Sequence, residues 1–213
     1  MSEQPLAYVV DDDLAIRETL HDLLETMGLG MRGFSTPQDF LEAERPDRPS
    51  CLILDVRLPG YSGLEFQRQL AAAKDDIPII FITGHADVPM SVRAMKDGAV
   101  EFLSKPFRNQ DLLDAIQHAI EKDRLRRKER RDREELSQRA QALTPRERQV
   151  MELLVAGKLN KQIGATLGAT ESTVKTHRAQ IMRKMKATSV VELVRMSDKI
   201  APSAERPGHH SVI

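Results

Sequence analysis

The 213-residue sequence has one cysteine, no tryptophan, no surplus of charge of either sign and no long apolar run. A single cysteine excludes an intramolecular disulfide. Cys51 sits in the apolar run Cys51-Leu52-Ile53-Leu54, with no thiolate-stabilising neighbour in it, and reads as a small buried hydrophobe. No apolar stretch approaches the roughly 20 residues that cross a bilayer, so no membrane partner is expected. The N-terminus lacks the basic-then-apolar pattern of a secretory signal, and the expected location is cytoplasmic. His209-His210 stands in a polar stretch and reads as tail rather than metal site.

The zero net charge hides an asymmetry. Residues 1–120 carry 11 Lys+Arg against 20 Asp+Glu, residues 121–139 carry 9 against 6, and residues 140–200 carry 11 against 5. An acidic front half and a basic rear half predict two domains with different partners, the basic one being the candidate for nucleic acid.

Along the first 120 residues, short apolar runs alternate with amphipathic stretches. Strands are expected at Leu6 to Val10, near 29–34, at 51–55, at Ile77 to Thr83 and at Val100 to Ser104. Helices are expected at 13–27, from Thr36 to about Ala43, at 63–73, at 87–97 and from Asn109. In the first helix, Leu14, Leu20, Leu23, Leu24 and Met27 are expected to face inward. This alternation predicts an α/β domain with a parallel sheet covered on both faces. From about 118 to 140 the chain is densely charged without Gly or Pro, predicting a helix that continues the previous one. Its apolar positions are sparse for a heptad seam, which favours a solvated helical linker over a dimeric coiled coil. A third region opens at Leu143-Thr144-Pro145-Arg146-Glu147, where Thr144 fits an N-cap, Pro145 the first helical position and Glu147 a capping box. Helices follow at about 145–156, 161–167, 171–185 and 189–199, a small all-α domain. The expected division is 1–120, a charged helical linker 121–140, a helical domain 141–200 and a disordered tail 201–213.

Asp11, Asp12 and Asp13 stand just past the first strand, Asp55 ends the third, Thr83 ends the fourth and Lys105 follows the fifth. Open parallel sheets bind ligands outside the carboxyl ends of their strands, where strand order reverses. For a strand order 2-1-3-4-5 that crevice lies between strands one and three, which brings Asp11, Asp12 and Asp55 together, flanked by Thr83 and Lys105. Clustered carboxylates call for a proton or a cation. Mg²⁺ suits such a site because it keeps open positions for water or phosphate. A carboxylate beside it can attack a phosphoryl group, whose developing charge would meet the metal, the Lys105 ammonium and the Thr83 hydroxyl. Asp13 reads as a helix N-cap rather than a ligand.

Val-Asp-Asp at 10–12, Leu-Asp-Val-Arg-Leu-Pro-Gly at 54–60, Ile-Thr-Gly at 82–84 and Ser-Lys-Pro-Phe at 104–107 resemble the signature of two-component receiver domains, which have a flavodoxin-like five-stranded parallel sheet. The resemblance implies that Asp55 is the phosphoacceptor and that Asp11, Asp12, Asp55 and the Arg57 backbone carbonyl hold Mg²⁺. It further implies that Thr83 and Lys105 contact the phosphoryl group, that the bond before Pro106 is cis, and that Phe102 is a switch aromatic. The donor would be a sensor histidine kinase, and phosphorylation would favour a homodimer through a surface that includes Val88, Val92 and Met95.

The rear region resembles the LuxR-type helix-turn-helix of the FixJ and NarL groups of response regulators, through Leu143-Thr-Pro-Arg-Glu-Arg, Gly157-Lys-Leu-Asn-Lys-Gln-Ile, Thr173-Val-Lys-Thr-His-Arg and Ile181-Met-Arg-Lys-Met. Val174, Ile181 and Met185 recur at helical spacing and should pack inward, while Lys175, Thr176, Arg178 and Ala179 turn toward the major groove of double-stranded DNA. Arg178 would reach a guanine edge or a phosphate, and Lys161, Arg183, Lys184 and Lys186 would grip phosphates. His177 reads as a packed residue near the core. Gly164 stands where the resemblance leads one to expect alanine, which should weaken that helix by about 1 kcal/mol, and Ala179 lacks the polar reach some relatives have there. Within the group the chain resembles the FixJ type, through Ile82-Thr-Gly-His-Ala-Asp-Val-Pro-Met and Ala99-Val-Glu-Phe-Leu, which implies transcriptional activation with RNA polymerase as a partner. A phosphoaspartate enzyme with an Asp-x-Asp motif is the competing class. Here Arg57 occupies the second carboxylate's place, so no enzyme is expected. A constitutive DNA-binding protein and a receiver that signals by protein contact compete with it as well.

Overall fold

The computed structural model describes residues 4–85 and 87–200. The tail expected to be disordered, 201–213, lies outside them. The chain divides into two compact units between Arg127 and Lys128.

The first unit holds a five-stranded sheet and a short hairpin. Strands β1 (Leu6–Val10), β2 (Gly30–Phe34), β3 (Ser50–Asp55), β6 (Ile79–Thr83) and β7 (Glu101–Ser104) pair in parallel, in the order β2-β1-β3-β6-β7. The order reverses between β1 and β3, so the crevice considered for the order 2-1-3-4-5 is present. Every residue of β1, β3 and β6 is buried, because alternate side chains enter two cores. Leu6, Tyr8, Val10, Leu52, Leu54 and Phe81 pack with residues of α2 (Pro37–Glu42), α3 (Gly63–Ala72) and α4 (Val88–Lys96). Ala7, Val9, Ile53, Ile80 and Ile82 pack with α1 (Leu14–Thr26) and the start of α5 (Asn109–Gln141). Edge strands β2 and β7 are only partly buried.

Two expectations for α1 are corrected. Leu20 and Leu24 are buried, but Leu14 is 58% and Met27 48% exposed. At about 100° per residue Leu14 lies about 120° from Leu20 around the helix, and Met27 is the C-cap beyond the helical turns. The hairpin of β4 (Arg57–Leu58) and β5 (Tyr61–Ser62), turning at Pro59-Gly60, is an addition to the expected elements.

Helix α5 is continuous over 33 residues, as its propensity predicts. Its stretch 121–127, read as the start of the linker, belongs to the first unit. Asp123 is fully buried, accepts from the backbone N–H of Ser50 at 2.9 Å and pairs with Arg126 and Arg127. Arg127 also reaches Asp47. Beyond it, residues 128–135 are all exposed.

The second unit has helices α6 (Pro145–Val155), α7 (Asn160–Leu167), α8 (Glu171–Met185) and α9 (Val190–Ile200). Their core joins Leu143, Val150, Leu154, Ile163, Val174 and Ile181 with Met185 and Leu193. The capping box is present: Thr144 N–H donates to Glu147 at 2.7 Å and Glu147 N–H to the Thr144 hydroxyl at 3.2 Å. Gly164 changes its meaning. An added Cβ would stand 2.7 Å from the carbonyl oxygen of Ala169, so the missing side chain admits the turn between α7 and α8 rather than only weakening a helix.

Candidate functional site

The apolar strands β1 and β3 end in carboxylates, and their pairing sets Val10 beside Leu54. Asp11 and Asp55 therefore emerge side by side at the carboxyl edge of the sheet. One carboxylate oxygen from each of Asp11, Asp12 and Asp55 lies within 4.8 Å of the other two. Asp11 is fully buried, Asp55 is 7% exposed and Asp12 faces solvent. Asp13 is the N-cap of α1, accepting from Ala15 N–H at 2.8 Å.

Each inner carboxylate is oriented by its own chain. Asp11 Oδ1 accepts from Asp13 N–H at 2.9 Å, and Asp55 Oδ1 from Arg57 N–H at 2.8 Å. Arg17 of α1 donates to the backbone carbonyl of Asp11. Lys105 Nζ donates to Asp11 Oδ2 at 2.7 Å and Asp55 Oδ2 at 2.8 Å, crossing from the end of β7. Burial pushes the Asp11 carboxyl above its ordinary range, against the hydrogen bond from Lys105. Burial also works against the Lys105 ammonium, but the bonds to Asp11 and Asp55 outweigh it and raise its pKa.

Gly63 explains how Asp55 is seated. A Cβ there would come within 2.3 Å of the Asp55 carbonyl oxygen, and Gly63 N–H donates to the Val56 carbonyl at 2.9 Å. The β4–β5 hairpin thus folds back onto the end of β3. The Pro59-Gly60 pair between Arg57-Leu58 and Tyr61-Ser62 was the sequence signal for that turn.

Thr83 ends β6, the strand paired with β3, and its hydroxyl accepts from His85 N–H at 3.3 Å. Its carbonyl accepts from Lys105 N–H at 2.7 Å, which fixes the root of the lysine. The Lys105–Pro106 peptide bond is cis, as the resemblance implies. Phe102 is partly buried on β7 against Phe81, with ring centroids 6.1 Å apart. On α4 only Ala94 is buried, whereas Val88, Val92 and Met95 are 74%, 45% and 43% exposed. Three carboxylates and one ammonium converge at the sheet's carboxyl edge, with Thr83 at the end of the neighbouring strand, an arrangement able to take a divalent cation and an anionic group together.

In the second unit, Val174, Ile181 and Met185 of α8 are fully buried, as their spacing predicts, and His177 is half-buried. Two of the residues expected to face DNA lie closer to the unit's own core than their basic character suggests. Arg178 follows Val174 by four residues, so it lies beside the buried stripe and is half-buried rather than turned outward. Lys184 is held inside the unit, donating to Glu147 at 2.6 Å and to the Ala142 carbonyl at 3.2 Å. The Lys184 hydrogen bond, with that from Thr144 N–H, pulls the Glu147 carboxyl down to about 2. Lys161, Lys175, Thr176, Arg183 and Lys186 are exposed. Lys175 lies 3.1 Å from Glu171, Lys186 3.9 Å from Glu135, and Arg183 donates to Gln180 at 2.6 Å.

Sequence reasoning missed the Asp123 anchor, which looked like one more charge in a charged run.

Residues 7–117 match the response regulator receiver domain family, and residues 141–197 match the luxR family of bacterial regulatory proteins. The chain is 49% identical to nodulation protein W of Bradyrhizobium diazoefficiens, over 95% of this chain and 89% of that protein. It is 42% identical to the transcriptional regulatory protein FixJ of Azorhizobium caulinodans, over 92% and 93% respectively. The solved structure of the response regulator StyR aligns with a TM-score of 0.82 at 48% identity, covering 92% of this chain and 99% of that one. Among the described residues no helix is long and apolar enough to cross a membrane.

Proposed function

Since the chain belongs to the two-component response regulators that join a receiver to a LuxR-type DNA-binding domain, transcription factors rather than enzymes, we propose that phosphorylation of Asp55 controls its binding to DNA. The observation that carries the reading is the junction of Asp11, Asp12 and Asp55 with Lys105, side chains from distant segments meeting at one point.

Asp11, Asp12, Asp55 and the Arg57 backbone carbonyl would hold Mg²⁺, which offsets the carboxylates and the incoming phosphoryl charge. A carboxylate oxygen of Asp55 attacks the phosphorus of a sensor kinase's phosphohistidine, the P–N bond breaks, and the kinase's histidine imidazole is the leaving group. Lys105 neutralises Asp11 and Asp55 beforehand and turns to the phosphoryl oxygens afterwards. The Thr83 hydroxyl follows, and Phe102 moves into the space it leaves. The altered surface of α4 and β7, with Val88, Val92 and Met95 exposed on it, favours a homodimer. The paired DNA-binding units then grip duplex DNA through Lys161, Lys175, Thr176, Arg183 and Lys186, in the cytoplasm, and activate transcription with RNA polymerase.

Acetyl phosphate with Mg²⁺ should double the molecular mass seen by light scattering and raise affinity for a selected DNA site at fixed salt. Asp55→Asn should do neither. Equal binding by both forms would refute the reading.

A further inference from the structure

The outward face of α8 is not where the basic residues of the sequence would place it. Opposite the buried stripe of Val174, Ile181 and Met185 run Ser172, Thr176, Ala179 and Arg183, at spacings of four, three and four residues, and all are exposed. Lys175 and Lys186 flank this line, with side chains 64% and 69% exposed. Arg178 is on the other side, at the edge of the core. The centre of the face is therefore Thr176 and Ala179, three residues apart and neighbours on the helix surface.

Neither of these can donate a hydrogen bond to a base. Ala179 ends at its methyl group. The Thr176 hydroxyl donates its hydrogen to the Ser172 carbonyl at 3.2 Å, within its own helix. What remains at the centre is two adjacent methyl groups, beside an oxygen of Thr176 that can only accept, in a cationic surround. In the major groove the apolar feature that a base edge offers is the C5-methyl of thymine; cytosine, guanine and adenine present polar groups.

We propose that Thr176 and Ala179 form a methyl pair that reads a thymine C5-methyl group, fixing one A·T pair in the recognition sequence while the flanking lysines and Arg183 hold phosphates. The inference rests on the reading that the second unit binds duplex DNA through α8. The pair determines specificity by shape and desolvation, and Lys175, Arg183 and Lys186 supply affinity that is blind to sequence.

The test uses the full-length chain, phosphorylated with acetyl phosphate, and a duplex recovered by selection from a randomised pool. Each thymine is replaced in turn by deoxyuridine, which removes one methyl group and leaves every hydrogen bond intact. One position per half-site should weaken binding about fourfold, the value of one buried methyl, and the others should not. Thr176→Val keeps the methyl and loses the hydroxyl, and should retain the preference for thymine over uracil. Thr176→Ser does the reverse and should erase much of it, as should Ala179→Gly. The inference is overturned if no thymine responds, or if Thr176→Val abolishes the preference while Thr176→Ser keeps it, which would make the hydroxyl the reader. If neither the phosphorylated nor the unphosphorylated chain recovers any duplex, the DNA-binding reading itself fails and takes this one with it.

Discussion

Replacing Asp123 by alanine should destabilise the first unit and leave the second alone. Its carboxylate is fully buried, and it is the acceptor for the Ser50 N–H at 2.9 Å. Losing it leaves that buried donor unsatisfied, at about 1–3 kcal/mol. Arg126 and Arg127 also lose their partner, but their side chains are 34% and 13% exposed and Arg127 keeps Asp47. Their share is therefore well below the figure for a wholly buried pair, and the total comes to about 2–4 kcal/mol. For a unit of this size, an unfolding entropy near 2 cal/mol/K per residue turns that into a drop of about 7–15 °C. Calorimetry of the full chain should show the transition of residues 1–127 move by that amount while the other stays in place. Asp123→Asn keeps an oxygen for Ser50 and loses only the charge, so it should fall about halfway. No shift with alanine would refute the anchor. Equal shifts with alanine and asparagine would mean that the arginines, not Ser50, carry it.

Three further outcomes are expected. Lys105→Met removes the ammonium that competes for Asp11 and Asp55, so Mg²⁺ titrated by calorimetry should bind at least about fivefold more tightly, from a Coulomb term of about 1 kcal/mol even at the full screening of water, whereas Asp11→Asn should weaken it more than tenfold. Gly63→Ala forces a methyl onto the Asp55 carbonyl and should cost about 1–3 kcal/mol in urea unfolding and slow labelling by acetyl phosphate. Glu147 has a folded pKa of about 2 against 4.5 unfolded, so its stabilisation of the second unit is complete above 4.5 and is lost as pH falls toward 2. Glu147→Gln keeps the capping bond and loses the charge beside Lys184. Its stability should be lower at neutral pH and fall less steeply in acid, followed by helical circular dichroism.

The strands were legible because their alternate residues serve two cores, leaving runs such as Cys51 to Leu54 apolar throughout. The acidic site was legible for the same reason: a carboxylate at the end of such a run has nowhere to go but the sheet's edge. Helix ends were legible where local chemistry sets them, as at Thr144 and Glu147. What sequence concealed depends on distance along the chain. Nothing local distinguishes Asp123 from its charged neighbours; only the amino end of β3, 73 residues away, makes it a buried acceptor. Lys184 is likewise claimed by Glu147, 37 residues earlier. Arg178 is a simpler case: four residues after Val174, it lies beside the buried stripe, and helical periodicity locates it where its charge alone does not.

The close approach of Gly63 to the carbonyl of Asp55 leaves the backbone of Asp55 without slack on the side of α3. Whatever bulk is attached to that carboxylate cannot be absorbed by a retreat in that direction. Any yielding must occur across the crevice, in the chain that leaves β6 at Thr83 and β7 at Lys105. One glycine thereby acts as an anvil, and it decides which half of the pocket deforms.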